Sequence, residues 1–428
     1  MSRLHILMDG EHLGTLDGRG RGVRVAYDPD LDPAGVPLSL SMPLARPRHR
    51  GQPVVRWLSA LLPDRDAVLG RWRRDFGITD LNPESLLAHI GEDVAGAAQF
   101  VRDDRLGVVQ AGAGRLESLT DDDIAGIAVA VLQDSMPSDP DTAIGRFSLA
   151  GAQAKFALQL LGDGSWALPS GSEPSTHIFK PAIPGLADQD VAETASMRVA
   201  AQVGIPTART FVREFADQRV IGIERYDRWR DNAGRWRRLH QEDLCQAGAT
   251  DPRLKYESEG GPGVAACGEL IRRFSTDPVQ DVRTFARAVI FNSLVKGSDA
   301  HARNYSLLIT HGDVRLAPLY DVNSTLPFGE AAEARTLAMR IGGEERLSSI
   351  TRGNWRLFAA ALHLEEEWVL DQLRAMATIL PAVADDVCRQ PDLAGLADRT
   401  LERFRHGCER WTAEALRNST GSAPRSGR

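Results

Sequence analysis

The chain of 428 residues is 43% hydrophobic and 25% charged, a composition that excludes wholesale disorder and suits two or three domains. Its 51 basic and 58 acidic residues give a net charge of −7, which disfavours nucleic-acid binding over the whole surface. Four isolated cysteines, no apolar run of ~18 residues and an early acidic N-terminus predict a cytoplasmic protein without a zinc knuckle, disulfide framework, membrane span or signal peptide.

Hydrophobic periodicity and turn residues predict the elements in chain order. The predicted strands are residues 3–8, 12–16, 94–101, two within 146–160, 166–169, 177–180, 211–215, 219–226, 304–310 and 314–320. The predicted helices are residues 52–76, 83–90, 121–132, 190–203, 282–294 and most of 353–414. Strands that precede helices, after a separate N-terminal region, predict an α+β fold with a boundary near residue 140.

The sharpest motif is GSDAHARN at residues 297–304, which follows a buried helix. Asp299 and Asn304 have the D-x₄-N spacing of kinase-type phosphotransferases, and a hairpin then leads to Asp321. We expect Asp299 to accept the proton of a substrate hydroxyl, and Asn304 with Asp321 to ligate Mg²⁺. The alternative is an ordinary loop in which Asp and Asn are turn formers.

Other parts of a kinase appear in the expected order. Lys180, one of only four lysines, ends a strand, and Glu193 lies on the next helix, where it would hold that lysine in an ion pair. The small-residue segment 148–155 is suited to an anion-binding turn, and Glu224-Arg225-Tyr226 follows a strand as a hinge would. Each part alone favours a purely structural role. Together, in kinase order, they favour a nucleotide-dependent phosphotransferase.

The motifs LSLSMPL, LLPD, IGEDVAGA, RFSLAGAQAKFAL, THIFK, ERYDR, QEDLCQ, KYESEGGPG, GSDAHARNYS and APLYDV resemble those of the HipA family of bacterial serine/threonine kinases. In that family the kinase is the toxin of a HipA/HipB toxin–antitoxin pair. The matches cover roughly residues 1–395 in family order. The sequence departs from the family at Ala154, where relatives often carry Glu, and in the short Pro/Gly-rich stretch between Lys180 and Glu193.

The resemblance implies an atypical two-lobed, phosphoinositide-kinase-like fold behind a small N-terminal α/β domain. It implies an N-terminal domain over 1–140, a kinase N-lobe over 141–230, a helical C-lobe over 231–415 and a disordered tail over 416–428. Asp299 would be the catalytic base, and Ser148 the serine whose autophosphorylation switches the enzyme off; its alternative role is to cap a strand end. The implied ATP-binding residues are Ala150, Gly151, Ala152, Gln153, Ala154, Lys155, Lys180, Glu224, Arg225, Tyr226, His301, Ala302, Arg303, Asn304, Tyr320 and Asp321.

The resemblance also implies a HipB-like helix-turn-helix antitoxin as partner, DNA contact mainly through that antitoxin, no membrane partner, and a translation protein such as an aminoacyl-tRNA synthetase as substrate. A lipid or small-molecule kinase, or a nucleotide-binding scaffold, remains the alternative. Three features stay open or favour a structural role. The arginines and aromatics of 225–238 favour a solvated hairpin tip beside the hinge over RNA stacking. His301 favours an ATP or structural contact over metal ligation, and 255–263 is either a substrate contact or a plain connector.

Overall fold

The computed structural model describes residues 3–133, 151–183, 185–329 and 336–420. The chain forms two compact units. Unit 1 comprises Met1–Ile183, Arg213–Arg253 and Leu307–Val314, and unit 2 comprises Pro184–Val212, Leu254–Ser306 and Arg315–Arg428. Within the described ranges no helix is long and apolar enough to cross a membrane.

The first sheet of unit 1 grows from the N-terminal hairpin. Its strands are β1 (Leu4–Met8), β2 (Glu11–Asp17), β3 (Arg24–Tyr27), β4 (Arg48–Arg50) and β5 (Ala98–Arg102), in the spatial order β4-β3-β2-β1-β5. The strands predicted over 3–8 and 12–16 are confirmed as an antiparallel hairpin, and its turn residues Asp9 and Gly10 both have positive φ, 49° and 87°.

Three helices share a hydrophobic core with this sheet. They are α1 (Gln52–Ala60), α2 (Asp66–Asp75) and α3 (Pro83–Ile90). Trp57 and Phe100 are the largest of the fully buried side chains in that core. The helical pattern predicted around residues 52–76 is confirmed, and the LLPD segment with Pro63 divides it into two helices. The helix predicted over 83–90 is confirmed. Helix α4 (Asp103–Gln110), which follows β5, was not predicted.

The second sheet of unit 1 has the order β10-β11-β9-β7-β8-β6. Its strands are β6 (Arg115–Leu119), β7 (Phe156–Leu160), β8 (Trp166–Ser170), β9 (His177–Pro181), β10 (Thr210–Phe215) and β11 (Gln218–Glu224). Phe156 and Phe179 stack at 5.3 Å between ring centroids, and Trp166 packs edge-on against Phe179. These rings make the core on which β9 is fixed.

Helix α5 (Asp121–Leu132) packs against this second sheet and begins in a capping box made by Thr120 and Asp123, as its sequence predicts. The segment 115–132 is therefore part of the second sheet layer, although the predicted boundary near residue 140 assigns it to the N-terminal domain. The remaining strands are β12 (Arg228–Arg230) paired with β13 (Trp236–Arg238), and a sheet of β14 (His240–Asp243), β15 (Ser306–Thr310) and β16 (Asp313–Leu316), with α7 (Leu244–Ala247) after β14.

Unit 2 is mainly helical. Its helices are α6 (Gln189–Gln202), α8 (Val264–Phe274), α9 (Pro278–Leu294), α10 (Arg352–Ala361), α11 (Glu366–Cys388) and α12 (Asp398–Thr420). The rings of Phe285, Phe291, Phe358 and Phe404 are fully buried in it. Trp411 of α12 donates from Nε1 to the carbonyl of Ser293 at 2.7 Å, which fixes the end of α9. Because α12 reaches Thr420, helix extends into the segment 416–428 that was predicted to be a disordered tail.

Candidate active site

The end of α9 presents the predicted catalytic segment of unit 2, residues 297–304. Lys296 has a φ of 51°, and the next residue must be glycine, since a Cβ on Gly297 would lie 2.3 Å from Oδ1 of Asn292. The chain turns sharply there, and Ala338 N–H donates to the carbonyl of Ser298 at 2.9 Å. This turn places the carboxylate of Asp299 in solvent, where a catalytic base must be accessible.

The carboxylate of Asp299 has a neighbour that sequence reasoning missed. Tyr256 donates from its hydroxyl to Asp299 Oδ1 at 2.7 Å. The Tyr256 ring also meets His301 edge-on, at 5.2 Å between ring centroids. The loop that carries Tyr256 therefore lies beside the catalytic segment. The turn formers around the Lys255-Tyr256 pair indicate a loop. Nothing in the spacing of Tyr256 and Asp299 indicates that the two residues are in contact.

His301 is buried, with 6% of its surface exposed. Burial lowers the pKa of His301 to about 4, despite the nearby charge of Asp299, so the ring is neutral at pH 7. Its Nδ1 is buried and has no hydrogen-bond partner within the described residues. A ligand that supplied a donor or acceptor to this nitrogen would satisfy it.

Asn304 and Asp321 come together as predicted. The hairpin of β15 and β16 returns the chain, and Asn304 Nδ2 lies 3.4 Å from the backbone oxygen of Asp321. Asp321 has a φ of 59°, an uncommon conformation for a non-glycine residue, and Asn323 Nδ2 donates to its Oδ1 at 3.2 Å. A carboxylate and an amide oxygen suit Mg²⁺, which keeps several of its waters. The described residues contain no group of three or more His, Cys, Asp or Glu that could hold a metal alone.

A polar network runs from Asp321 into helix α6. Gln189 Nε2 donates to Glu193 Oε2 at 3.0 Å and also to Oδ1 of Asn323, the residue that contacts Asp321. Glu193 is completely buried in α6. The predicted ion-pair residue is thus linked through two side chains to the predicted metal ligand of the same unit. Its pairing with Lys180 stays a prediction.

The remaining loop residues of unit 2 hold the catalytic segment together. Ala302 is fully buried, and Arg303 is also buried. Tyr320 donates from its hydroxyl to the carbonyl of Arg303 at 2.7 Å and lies 2.7 Å from Ser306 Oγ. The Tyr320 hydroxyl is therefore engaged within the loop, and any ATP contact of this residue would use other atoms.

In unit 1, Lys180 lies on β9 opposite Ile221 of β11 and is 4% exposed. Gln153 donates from Nε2 to the carbonyl of Pro181 at 3.4 Å, which connects the small-residue loop to the end of the same strand. Gly151 has a φ of 108°, and its absent Cβ would lie 2.7 Å from Lys155 Nζ. The Lys155 side chain thus folds back over the loop of 151–155 that also contains Ala152 and Ala154. Ser148 and Ala150 lie outside the described residues.

The predicted hinge of unit 1 begins where β11 ends, at Glu224. Tyr226 donates from its hydroxyl to Gln241. The Arg225 guanidinium is buried and bonds to both Asp227 oxygens, to Ser175 Oγ at 2.9 Å and to the Val94 carbonyl at 2.8 Å. The Arg225 side chain is engaged in these contacts. A nucleotide at the predicted hinge would therefore bind to backbone groups.

Arg225 belongs to a buried ion cluster that the sequence did not predict. Its members are Asp93, Asp227, Arg225, Arg228 and Arg238, and each is less than 10% exposed. Arg228 Nη2 meets Asp93 Oδ1 at 3.0 Å, and Arg228 Nη1 meets Asp227 Oδ2 at 3.1 Å. The predicted solvated hairpin tip is confirmed, since Trp229, Arg230 and Arg235 are exposed, but the arginines at both ends of the β12–β13 hairpin, Arg228 and Arg238, are buried.

Comparison with known proteins assigns both parts of the chain. The family "HipA-like C-terminal domain" matches residues 147–385, and "HipA N-terminal domain" matches residues 4–101. A Sinorhizobium fredii protein named "Putative kinase Y4mE" is 37% identical, over 83% of this chain and 84% of its own length. The "Serine/threonine-protein kinase toxin HipA" of Shewanella oneidensis is 28% identical, over 89% of this chain and 90% of its own length.

A solved structure is also similar over nearly the whole chain. It is the Shewanella oneidensis HipA structure determined with HipB and operator DNA, and it matches with a TM-score of 0.81 at 24% identity. The match covers 97% of this chain and 99% of that chain. This likeness confirms the predicted α+β, kinase-like fold class.

Proposed function

The chain belongs to the HipA family of kinases, and from that premise we propose that it is an ATP- and Mg²⁺-dependent serine/threonine protein kinase. The observation that carries the proposal is the geometry of the catalytic segment. Asp299 is exposed at the end of a buried helix, and Asn304 meets Asp321 across a hairpin. These are the base and the metal ligands of the phosphoryl-transfer template.

In the proposed reaction the oxygen of a substrate hydroxyl attacks the γ-phosphorus of ATP, the bond to the β-phosphate oxygen breaks, and ADP leaves. Asp299 accepts the proton of that hydroxyl, which contributes roughly 10²–10⁴-fold to the rate. The carboxylate of Asp321 and the amide oxygen of Asn304 would hold Mg²⁺, which neutralises phosphate charge when it is bound. The network through Asn323 and Gln189 keeps the Asp321 carboxylate oriented.

The nucleotide-binding part of the proposal rests on the residues that the family resemblance implies. Lys180 would place its ammonium on the phosphates, and the backbone N–H groups of 151–155 would cradle them. The hinge backbone over 224–226 would recognise the base. In unit 2 the neutral ring of His301 would offer its unpartnered Nδ1 to the nucleotide. We also propose that the kinase region begins near residue 141 and that a separate N-terminal domain precedes it.

The biological role is proposed from the relatives. We propose a toxin that phosphorylates a translation protein of the aminoacyl-tRNA synthetase class in the cytoplasm and inactivates itself by phosphorylation at Ser148. Phosphate at Ser148 would add nearly two negative charges beside a phosphate-binding loop. The proposed partner is a HipB-like antitoxin, which supplies the DNA contact. The names of the Shewanella toxin and of its solved complex support this role, and the net charge of −7 disfavours direct DNA binding.

The test is intact-mass spectrometry after incubation with ATP and Mg²⁺. The wild type should gain one phosphoryl group, mapped to Ser148, and omission of Mg²⁺ should prevent the gain. Asp299→Asn should show no gain while it retains its folded circular dichroism spectrum and its ATP affinity. Normal turnover by Asp299→Asn would overturn the assignment of the base. Nucleotide binding without transfer to any protein would indicate a scaffold, and transfer to a lipid would indicate a lipid kinase.

A further inference from the structure

The loop from Leu254 to Gly263 places the hydroxyl of Tyr256 against the carboxylate of Asp299. Tyr256 lies within it and donates to Asp299 Oδ1 at 2.7 Å. Within the described residues this is the one side-chain hydrogen bond to that carboxylate. Oδ2, the other oxygen, accepts none from the part of the chain that the structure describes.

The conformation of this loop depends on two glycines. A Cβ on Gly261 would lie 2.2 Å from the carbonyl oxygen of Leu254, and Gly261 N–H donates to the Tyr256 carbonyl at 2.9 Å. A Cβ on Gly263 would lie 2.5 Å from the carboxyl carbon of Glu257. The loop therefore closes tightly on itself around Tyr256 and Glu257: a side chain at 261 would meet backbone and force the loop open, and one at 263 would displace the Glu257 carboxyl group.

The same backbone segment anchors both the loop and the catalytic segment. Glu257 N–H donates to the Ala338 carbonyl at 3.0 Å, and Arg340 N–H donates to Glu257 Oε2 at 2.6 Å. Ala338 N–H in turn donates to the carbonyl of Ser298, the neighbour of Asp299. Tyr256 and Asp299 are thus held at a fixed separation by a shared support and not by their own contact alone.

The ring of Tyr256 is held as well as its backbone. It packs edge-on against the buried His301, and Lys255 Nζ lies 5.4 Å from the centroid of the same ring. A side chain supported on its ring, its hydroxyl and its backbone is not arranged as a mobile gate. It is arranged to hold whatever its hydroxyl contacts.

We infer that Tyr256 is the positioning residue of the catalytic base. Its hydroxyl fixes the rotation of the Asp299 carboxylate through Oδ1 and so directs Oδ2 toward the substrate hydroxyl. The inference rests on the proposed kinase function and adds to it a residue outside the D-x₄-N motif. A base that is exposed and bound on one side needs such a support, since an unrestrained carboxylate samples several rotamers.

The experiment compares Tyr256→Phe with the wild type in self-phosphorylation and in phosphorylation of casein, a generic acceptor. The variant keeps the ring that packs on His301 and loses the hydroxyl alone. We expect the rate constant at saturating ATP to fall about 10- to 100-fold, the range for a lost hydrogen bond to a charged group, while the half-saturating ATP concentration changes less than about twofold. A purely structural role would not produce this division between rate and affinity.

Tyr27→Phe is the matched control. Tyr27 also donates its hydroxyl inside the protein, to the Met42 carbonyl, but it lies in the N-terminal sheet of unit 1. Its loss should change stability and leave the rate constant unchanged. An unchanged rate in Tyr256→Phe would overturn the inference. A faster rate would show that Tyr256 blocks the base, and phosphate mapped to Tyr256 would show that it is the acceptor; both would also overturn it.

A second measurement does not depend on activity. Urea unfolding of Tyr256→Phe, Asp299→Ala and the double variant forms a double-mutant cycle, because alanine removes the acceptor that asparagine would keep, and the two changes should be non-additive if the hydrogen bond exists in solution. Additive changes would overturn the inference even in an active enzyme. If the unfolding free energies of the variants are non-additive but the wild type transfers no phosphate, the hydrogen bond exists and the proposed kinase function is refuted. The contact would then have no catalytic role.

Discussion

Replacement of Asp93 by Asn should destabilise unit 1 severely, although the residue lies outside every predicted site. Its carboxylate faces three arginines: Arg228 at 3.0 Å, Arg238 at 3.5 Å and Arg225 at 3.6 Å. It also accepts two hydrogen bonds from Ser175, from the backbone N–H and from Oγ. Burial alone would raise the pKa of Asp93, but the three guanidinium charges outweigh burial and hold that pKa below its usual value.

The magnitude follows from the charge of the cluster. Asp93 and Asp227 balance two of the three buried arginines, and Asp93→Asn leaves three cations with a single carboxylate. Removing one partner of a buried ion cluster costs about 3–5 kcal/mol. For a cooperative unit of about 230 residues, unfolding entropy of about 0.5 kcal/mol/K converts this cost into a fall in Tm of about 6–10 °C.

Differential scanning calorimetry of the wild type and the variant measures this difference at neutral pH. Asp104→Asn is the matched control, because Asp104 pairs with Arg102 at 3.0 Å with 64% of its side chain exposed, and such a pair contributes less than about 1 kcal/mol. A shift in Asp93→Asn as small as that of Asp104→Asn would refute the reasoning. Because the Asp93 pKa is depressed, its contribution is fully present above the unfolded pKa near 4 and is lost as pH falls below it.

Two further predictions concern the catalytic segment. His301 should titrate near pH 4 in NMR spectra of its ring, because burial disfavours the charged form, and the stability linked to it should be lost as pH falls from about 6.5 toward 4; a midpoint near 6.5 would contradict its burial. Gly261→Ala should lower the phosphorylation rate with the same unchanged ATP dependence as Tyr256→Phe, because its Cβ would displace the Leu254 and Tyr256 carbonyls; a wild-type rate would show that the loop tolerates the methyl group.

The local parts of the fold and site were predictable from the sequence. Three local features depend only on neighbours within a few residues: the capping box of Thr120, the Asp9-Gly10 turn and the α3 helix. The residues that determine each of them are therefore visible in the local sequence. The meeting of Asn304 with Asp321 was predictable for the same reason, since one hairpin joins them.

The long-range parts were not predictable from composition and spacing. The burial of Arg228 and Arg238 was not predictable, because the sequence shows their charges but not Asp93, which lies more than 130 residues earlier. Tyr256 lies 43 residues before Asp299, and no periodicity connects them. A buried charge is possible only when its partner is present, and the partner is visible only in the folded chain.

Several of the motifs that carry the family resemblance contact one another in pairs, and this suggests why they occur together. Glu242 of QEDLCQ accepts hydrogen bonds from the Ser39 hydroxyl, the Leu40 N–H and Trp57 Nε1, and the first two donors belong to LSLSMPL. Asp64 of LLPD donates its N–H to the carbonyl of Gly151 in the small-residue loop at 3.2 Å.

The same pairing joins IGEDVAGA to ERYDR through Asp93 and Arg228, and KYESEGGPG to GSDAHARNYS through Tyr256 and Asp299. In each case a polar group in one motif satisfies a polar group in another, and where that group belongs to a side chain its removal leaves the partner unsatisfied. Membership of a motif therefore does not identify a catalytic residue. Among these pairs only Tyr256–Asp299 includes an exposed carboxylate, and under the proposed function that difference separates the pair that takes part in the chemistry from those that maintain the fold.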